Sequence, residues 1–317
     1  MCMCARGIQS LRNSLYDRIN INRKKIEMNN NNLSVMLEKN KHAHSASVEY
    51  FNLPAELRKE HVAWAKWEWG KFRESHGFVR SAPKLLTHPA NQSKLGKSDI
   101  YTVGLTLQHA NVSGWETCAW RTPSCTATCV LDNGNGRYDM VQKARTVKTL
   151  FLAKKPKAFM YLLCDELRVL SSKYENLLVR LNVNSDLRWY NIAPSLFTAL
   201  PTVAFYDYTK NPAVLRTTGM VAPNYRLCYS ISESDTARRM GTIDSFVRSG
   251  GTAAVVTIRN KKDAPPRVWR GNPVVDGDST DDRFNERGVF VDLTAKGKAR
   301  KVSVQTFGFV RDINKVS

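Results

Sequence analysis

The sequence lacks any run of about eighteen apolar residues, the length a helix needs to span a bilayer. Its opening stretch, MCMCARGIQSLRNSLYDRINI, lacks the apolar block of a secretory signal. A cytoplasmic protein without a membrane partner is the expectation. Even pairing of cysteines is also missing. There are seven, which argues for reduced thiols over a disulfide framework and leaves metal binding, catalysis or burial as their roles. Acidic residues are scarce, with 28 Asp and Glu against 48 Lys and Arg and a formal net charge of +20. Such a balance attracts polyanions. Helix-turn-helix, finger and aromatic RNA-binding motifs are absent, so charge alone supports nucleic-acid binding.

What is present is ample for a core: 317 residues, 42% of them hydrophobic, enough for one large domain or two ordinary ones. Residues 1–50 carry eight basic and four acidic side chains, only +4 of the +20. The excess therefore lies on the folded part.

Residues 1–48 include the asparagine run MNNNNL and the polar stretch EKNKHAHSAS, and read as a flexible arm. Met28 is a second candidate initiator. A helical segment follows over 49–92. Within it NLPAELRKEHVAWAKWEWGKFRESHG, residues 52–77, has Asn52 as N-cap, Pro54 in the first turn and Gly77 as stop. Trp64, Trp67 and Trp69 with Lys66, Lys71 and Arg73 could form a basic aromatic face, but aromatics at helical spacing are expected to dock on a core.

Residues 93–317 read as an α/β domain. IYTVGLTL (100–107), LLVRL (177–181), TVAFYD (202–207), YRLCYS (225–230) and TAAVVTI (252–258) have strand character. Between them PKAFMYLLCDELRVLSSKY, PSLFTAL and SDTARRMGTIDSFVRSGG have helical character, with Cys164 and Cys228 in apolar settings that predict burial. Strands joined by helices predict a parallel sheet, in a complete or partial β/α barrel or an open doubly wound form. In each, reactive groups collect at the carboxyl ends of the strands.

Those ends carry polar residues. NVNSDLRW follows the second strand, YTKNP the third and ISESD the fourth. Lys210 and Glu233 are the candidate catalytic groups of the resulting pocket, and Asn182, Asp186, Arg188 and Ser232 the candidate cofactor-binding ones. ETCAWRTPSCTATCV follows the first strand and contains Cys118, Cys125 and Cys129, separated by six and three residues. A loop can wrap three such thiols around a soft metal centre. A structural zinc needs a fourth ligand, for which His109 is nearest, and plain buried thiols are the third possibility. A four-iron cluster held by three cysteines leaves one iron open.

Three further segments have two readings each. Gly134 and Gly136 precede a basic helix and could cradle phosphate, but read better as a turn. VVDGDSTDDRF clusters Asp276, Asp278, Asp281 and Asp282 beside Arg283, suiting a hard cation or, better, an ordered turn. Lys296, Lys298, Arg300 and Lys301 could contact phosphates or lie on a solvated final hairpin.

LGKSDIYTVGLTLQHANVSGWETCAWRTPSCTATC, RLNVNSDLRW, FYDYTK, NYRLCYSISESD, VVDGDSTDDRF and VDLTAKGKAR resemble, in that order, the bacteriophage gene product 88 family, from about Ser93 to Val310. The resemblance implies a phage origin and hence the host cytoplasm. The cysteine segment, the later TK.P strand end and the N....YS.SES pattern are similar to phage proteins with a radical S-adenosylmethionine type of partial barrel. That similarity implies a 4Fe–4S cluster on Cys118, Cys125 and Cys129, with S-adenosylmethionine as cofactor. The spacing here is longer than the common radical-enzyme pattern, and a clear Gly-Gly-Glu motif is absent.

The expectation is an α/β, parallel and partial β/α barrel behind a helical, partly disordered N-terminal segment. Its expected function is that of an iron–sulfur, radical-S-adenosylmethionine-like phage enzyme acting on a nucleic acid or nucleotide. The rivals are a non-catalytic basic nucleic-acid binder with structural cysteines, and a zinc- or magnesium-dependent enzyme without redox chemistry.

Overall fold

The computed structural model describes residues 31–78, 84–89, 100–130, 134–259, 263–301 and 308–313. Residues 1–30, with Cys2, Cys4 and Met28, lie outside the described residues, as does the run 302–307.

Among the described residues eleven strands form one sheet. These are β1 (Leu86–Thr87), β2 (Tyr101–Leu105), β3 (Leu177–Arg180), β4 (Ala204–Thr209), β5 (Met220–Ala222), β6 (Tyr225–Ser230), β7 (Thr252–Thr257), β8 (Val268–Trp269), β9 (Asn272–Asp276), β10 (Val289–Thr294) and β11 (Val310–Arg311). Seven of them, in the spatial order β2-β3-β4-β6-β7-β10-β9, run parallel. All four residues of β3 and five of six in β6 are buried, as near-continuous apolar runs are when both faces of a parallel sheet are covered. β1 and β8 pair antiparallel at the two ends, and the sheet does not close on itself. The architecture is α/β with a mostly parallel, open sheet. β9 and β10, which extend it, were not singled out as strands in the sequence, where the aspartate-rich VVDGDSTDDRF and the basic run after VDLT dominate their surroundings.

β6 covers β7 only as far as Ala254, and β11 takes over at Val256 and Thr257. The C-terminal segment thereby enters the carboxyl end of the sheet, beside the ends of β4 and β6.

The helices are α1 (Leu33–Asn40), α2 (His42–Asn52), α3 (Ala55–Glu74), α4 (Pro123–Ala127), α5 (Asp139–Lys154), α6 (Pro156–Lys173), α7 (Trp189–Ile192), α8 (Ser195–Ala199) and α9 (Ala237–Arg248). α6 starts on Pro156, whose missing N–H costs nothing in a first turn, and buries Phe159, Leu163, Cys164 and Leu167. Cys228 is buried on β6. Both thiols thus have the packing role expected of them.

The reading of a flexible arm to residue 48 is corrected over its described part. Asn32, the last of the asparagine run, caps α1 by accepting the Val35 N–H at 3.2 Å. Leu33, Leu37, Ala43, Ala46 and Tyr50 are buried. The boundary at 48 falls inside α2, whose Tyr50 hydroxyl donates to Asp165 of α6 at 2.9 Å. Asn52 closes that helix and caps nothing after it; Pro54 precedes α3 directly. The three tryptophans dock to different degrees. Trp69 is buried against Phe151, Trp64 meets the buried Tyr161 ring edge-on while 40% exposed, and Trp67 is 59% exposed. Arg73 is buried, with its guanidinium over the Trp69 and Phe78 rings. Among the described residues no helix is long and apolar enough to cross a membrane.

Candidate functional site

The carboxyl ends of the parallel strands surround a cavity of about 260 Å³. The segment after β2 contributes His109, Cys118, Cys125 and Cys129, and the loop after β3 contributes Asn182, Asn184, Ser185 and Asp186. The ends of β4 and β6 add Tyr208, Thr209, Lys210 and Ser230. A second stretch of the wall contains Asp278 and Asp281 after β9, Leu293, Thr294 and Lys296 at the end of β10, and Phe309 before β11.

Two carboxylates hold the cysteine segment. Glu116, buried, accepts the Cys118 N–H at 2.8 Å and the Arg121 Nε–H at 3.0 Å. Glu233 accepts the Thr122 hydroxyl and the Ser124 N–H, both at 2.8 Å. Those donors sit at the start of α4, where Thr122 is the N-cap and Pro123 opens the first turn. The RTPSCTATC run becomes a short helix carrying Cys125. α1 closes the base of the segment, since Leu33 N–H donates to the Glu116 carbonyl and Glu116 N–H to that of Asn31.

The Cys118 thiol accepts the Ala110 N–H at 3.4 Å and donates to the Asn184 carbonyl at 3.5 Å. Burial, with some help from the Asp186 and Glu116 charges, pushes its pKa up to about 12, so the thiol is protonated at neutral pH. Cys125 is half-buried against Ala295, Ala299 and Phe309, and Cys129 is also half-buried. Among the described residues no group of three or more His, Cys, Asp or Glu side chains is arranged to hold a metal ion. The three thiols share a cavity without converging on one point.

Asn182 and Asp186 line the cavity as expected, but Asn182 is fully engaged. Its Oδ1 accepts Ser185 Oγ–H at 2.8 Å and Leu187 N–H at 2.9 Å, and its Nδ2 donates to the Leu187 carbonyl at 2.9 Å. It shapes the loop that presents Asn184, Ser185 and Asp186. Beneath it Asp207, completely buried, accepts the Asn182 N–H at 2.6 Å and the Tyr225 hydroxyl at 2.8 Å. Burial raises the Asp207 pKa to about 7 against those bonds. Burial also raises that of Asp186, whose Oδ2 accepts the Lys210 N–H at 2.9 Å. Lys210 lines the cavity and donates from Nζ to Ser230 Oγ at 2.6 Å.

Three of the expected site residues stand elsewhere. Arg188 pairs with Glu38 of α1 at 2.8 Å and its N–H donates to Ser34. Ser232 donates its N–H to Asp235, shares a hydroxyl contact with Ser234 and gives its carbonyl to Arg311. Glu233 is the clamp on α4 and is not among the lining residues.

Arg180, Asp278, Asp281, Lys296 and Phe309 line the cavity without having been singled out as a pocket. Arg180 pairs with Asp281 at 2.9 Å and lies 4.8 Å from the Tyr208 ring centroid. An arginine inside the apolar run LLVRL is the sequence signal for it. The aspartate-rich segment is an ordered turn built on Arg283, which is completely buried and donates to Tyr208 Oη and the Gly277 carbonyl, both at 2.7 Å, and to Glu286. Asp278 pairs with Lys296; that bond and those from Thr294 outweigh burial and hold its pKa down at about 2. Gly134–Arg137 is a single 3₁₀ turn before α5, in keeping with the turn reading.

A family model described as gene product 88 matches residues 77–311, a span that includes the whole sheet and every lining residue of the cavity. No curated protein and no solved structure matches the chain.

Proposed function

The chain belongs to the phage gene product 88 family, and from that premise we propose that its cavity is the active site of an iron–sulfur, radical-S-adenosylmethionine-like enzyme of partial β/α-barrel form. It works in the host cytoplasm on a nucleotide or nucleic acid. The observation that carries this reading is that Cys118, Cys125 and Cys129, on the segment after the first parallel strand, line the same cavity as the polar ends of β3, β4 and β6. Strand order supports the barrel form, since β2, β3, β4, β6 and β7 are neighbours in chain order, as successive β/α units are in a barrel.

By donor type the three thiols suit a thiophilic centre, with three ligands leaving a site open to a further ligand. By position they do not yet converge, so a common centre requires the 118–129 segment to draw inward on its two carboxylate clamps. A cluster, held by Cys118, Cys125 and Cys129, would supply one-electron chemistry to a molecule bound in the cavity. The chain's own residues orient and shield. Glu116 and Glu233 fix where the cysteines start, Asn182 shapes the opposite loop, and Lys210 presents a cation. Uptake must displace the proton of the Cys118 thiol and is therefore favoured as pH rises.

The test is anaerobic reconstitution with iron and sulfide, followed by addition of dithionite and S-adenosylmethionine. Release of methionine that disappears in C118S/C125S/C129S is expected. Protein that takes up iron but leaves S-adenosylmethionine intact contradicts the radical assignment. Polyanion binding that persists in the triple variant and collapses with salt, in protein that takes up no iron, favours the non-catalytic reading.

A further inference from the structure

Among the described residues the cations of the cavity pair with carboxylates, with the exception of Lys210. Arg121 meets Glu116, Arg180 meets Asp281 and Lys296 meets Asp278. The ammonium of Lys210 meets no carboxylate among the described residues. It donates to Ser230 Oγ at 2.6 Å and to the Ser230 carbonyl at 3.4 Å, and lies 5.3 Å from the Phe309 ring centroid. Asp186, on the adjoining strand end, accepts the backbone N–H of Lys210; it feels the charge of the ammonium but makes no direct ion pair with it.

The lysine is also held in place. Its N–H is tied to Asp186, and the next residue is fixed by an Asn211 N–H to Thr209 bond and by the Asn211 cap on Ala213. The Phe309 ring stands beside it, and Val256, Leu293 and Ala299 are further apolar residues of the lining. A fixed cation against an apolar wall suits a ligand with an anionic end on an apolar or aromatic body, because a lysine binds phosphate as a point charge and the wall accepts the rest. A volume of about 260 Å³ admits one such small unit.

We infer that Lys210 is the recognition residue for the phosphate of a single nucleotide unit, with the base and sugar against the Phe309 side of the cavity. This deepens the nucleotide reading proposed above and does not require the cluster. The phosphate has two possible sources, a free nucleoside monophosphate or the nucleotide of a strand, and the cavity's size favours the free molecule.

Calorimetric titration of the full chain with the nucleoside 5′-monophosphates, the matching nucleosides and a short single-stranded oligonucleotide tests the inference. A monophosphate is expected to bind at least about tenfold tighter than its nucleoside, a difference of about 1.4 kcal/mol. K210M should erase that preference without shifting the melting temperature, and K210R should keep most of it. Equal affinity for nucleoside and monophosphate, no binding of either, or a preference that survives in K210M would each overturn the inference. Tighter binding of the oligonucleotide, with the Lys210 dependence intact, would assign the phosphate to a strand. Iron content separates the two proposals. K210M that loads iron but shows no phosphate preference while the wild type shows it supports this assignment, and an iron-free protein that still prefers the monophosphate sinks the cluster alone.

Discussion

The two walls of the cavity are built on opposite plans. In the wall of Cys118, Cys125 and Cys129, Glu116 and Glu233 grip backbone N–H groups from outside the cavity, Glu116 pairing with Arg121 as well, and the three thiols are half-buried. In the wall after β9 and β10, carboxylates and cations grip each other: Arg180 with Asp281, Lys296 with Asp278, Arg283 with Glu286. A side chain locked in a buried ion pair is committed to holding shape. On the reading proposed above, the cysteine wall carries the chemistry and the other the framework, with Lys210 lining the same cavity.

Changes on either side should separate these roles. The largest effect belongs to Arg283, whose replacement by leucine strands Glu286, the Gly277 carbonyl and the Tyr208 hydroxyl around a lost buried charge. A loss of about 3–5 kcal/mol in denaturant unfolding is expected; a loss under about 1 kcal/mol would dissolve the contrast between the walls. Next is E233A, which frees Thr122 and Ser124 at the start of α4. Hydrogen exchange should report a loss of about 1.5–3 kcal/mol in protection at Ser124, with α6 unchanged.

An effect that is smaller per pH unit concerns titration. Asp207, beneath Asn182, has its carboxyl raised by burial to about 7. A raised carboxyl binds its proton more tightly in the folded chain, so its contribution is fully present below the unfolded value of about 3.9 and is lost as pH rises to about 7. Stability should fall across that window by up to about 1.4 kcal/mol per pH unit, and D207N should flatten the slope. Smallest is W67A, away from both walls and 59% exposed, which should change stability by no more than about 0.5 kcal/mol.

How much the sequence revealed follows the same division. The strands YRLCYS and TAAVVTI, the helix from Pro156 and the burial of Cys164 and Cys228 were legible because apolar periodicity and proline placement act locally. So were the cysteines, Asn182, Asp186 and Lys210, because polar residues following an apolar strand mark its carboxyl end. The second wall was not legible, since pairs such as Arg180 and Asp281 lie 101 residues apart and no local pattern links them. Arg188 and Glu233 were misplaced for a related reason: both are polar residues near strand ends, but their partners, Glu38 and α4, come from segments whose docking only the tertiary fold defines. The asparagine run misled in the opposite direction, because low complexity suggested an arm where its last residue caps a buried helix.

The most direct test of the central claim is the iron and acid-labile sulfide content of anaerobically purified and reconstituted protein, compared between the native chain and C118S/C125S/C129S. The account predicts about four irons per chain with broad absorption near 400 nm in the native protein, both lost in the triple variant. Iron-free, colourless native protein, or iron retained by the triple variant, would contradict it.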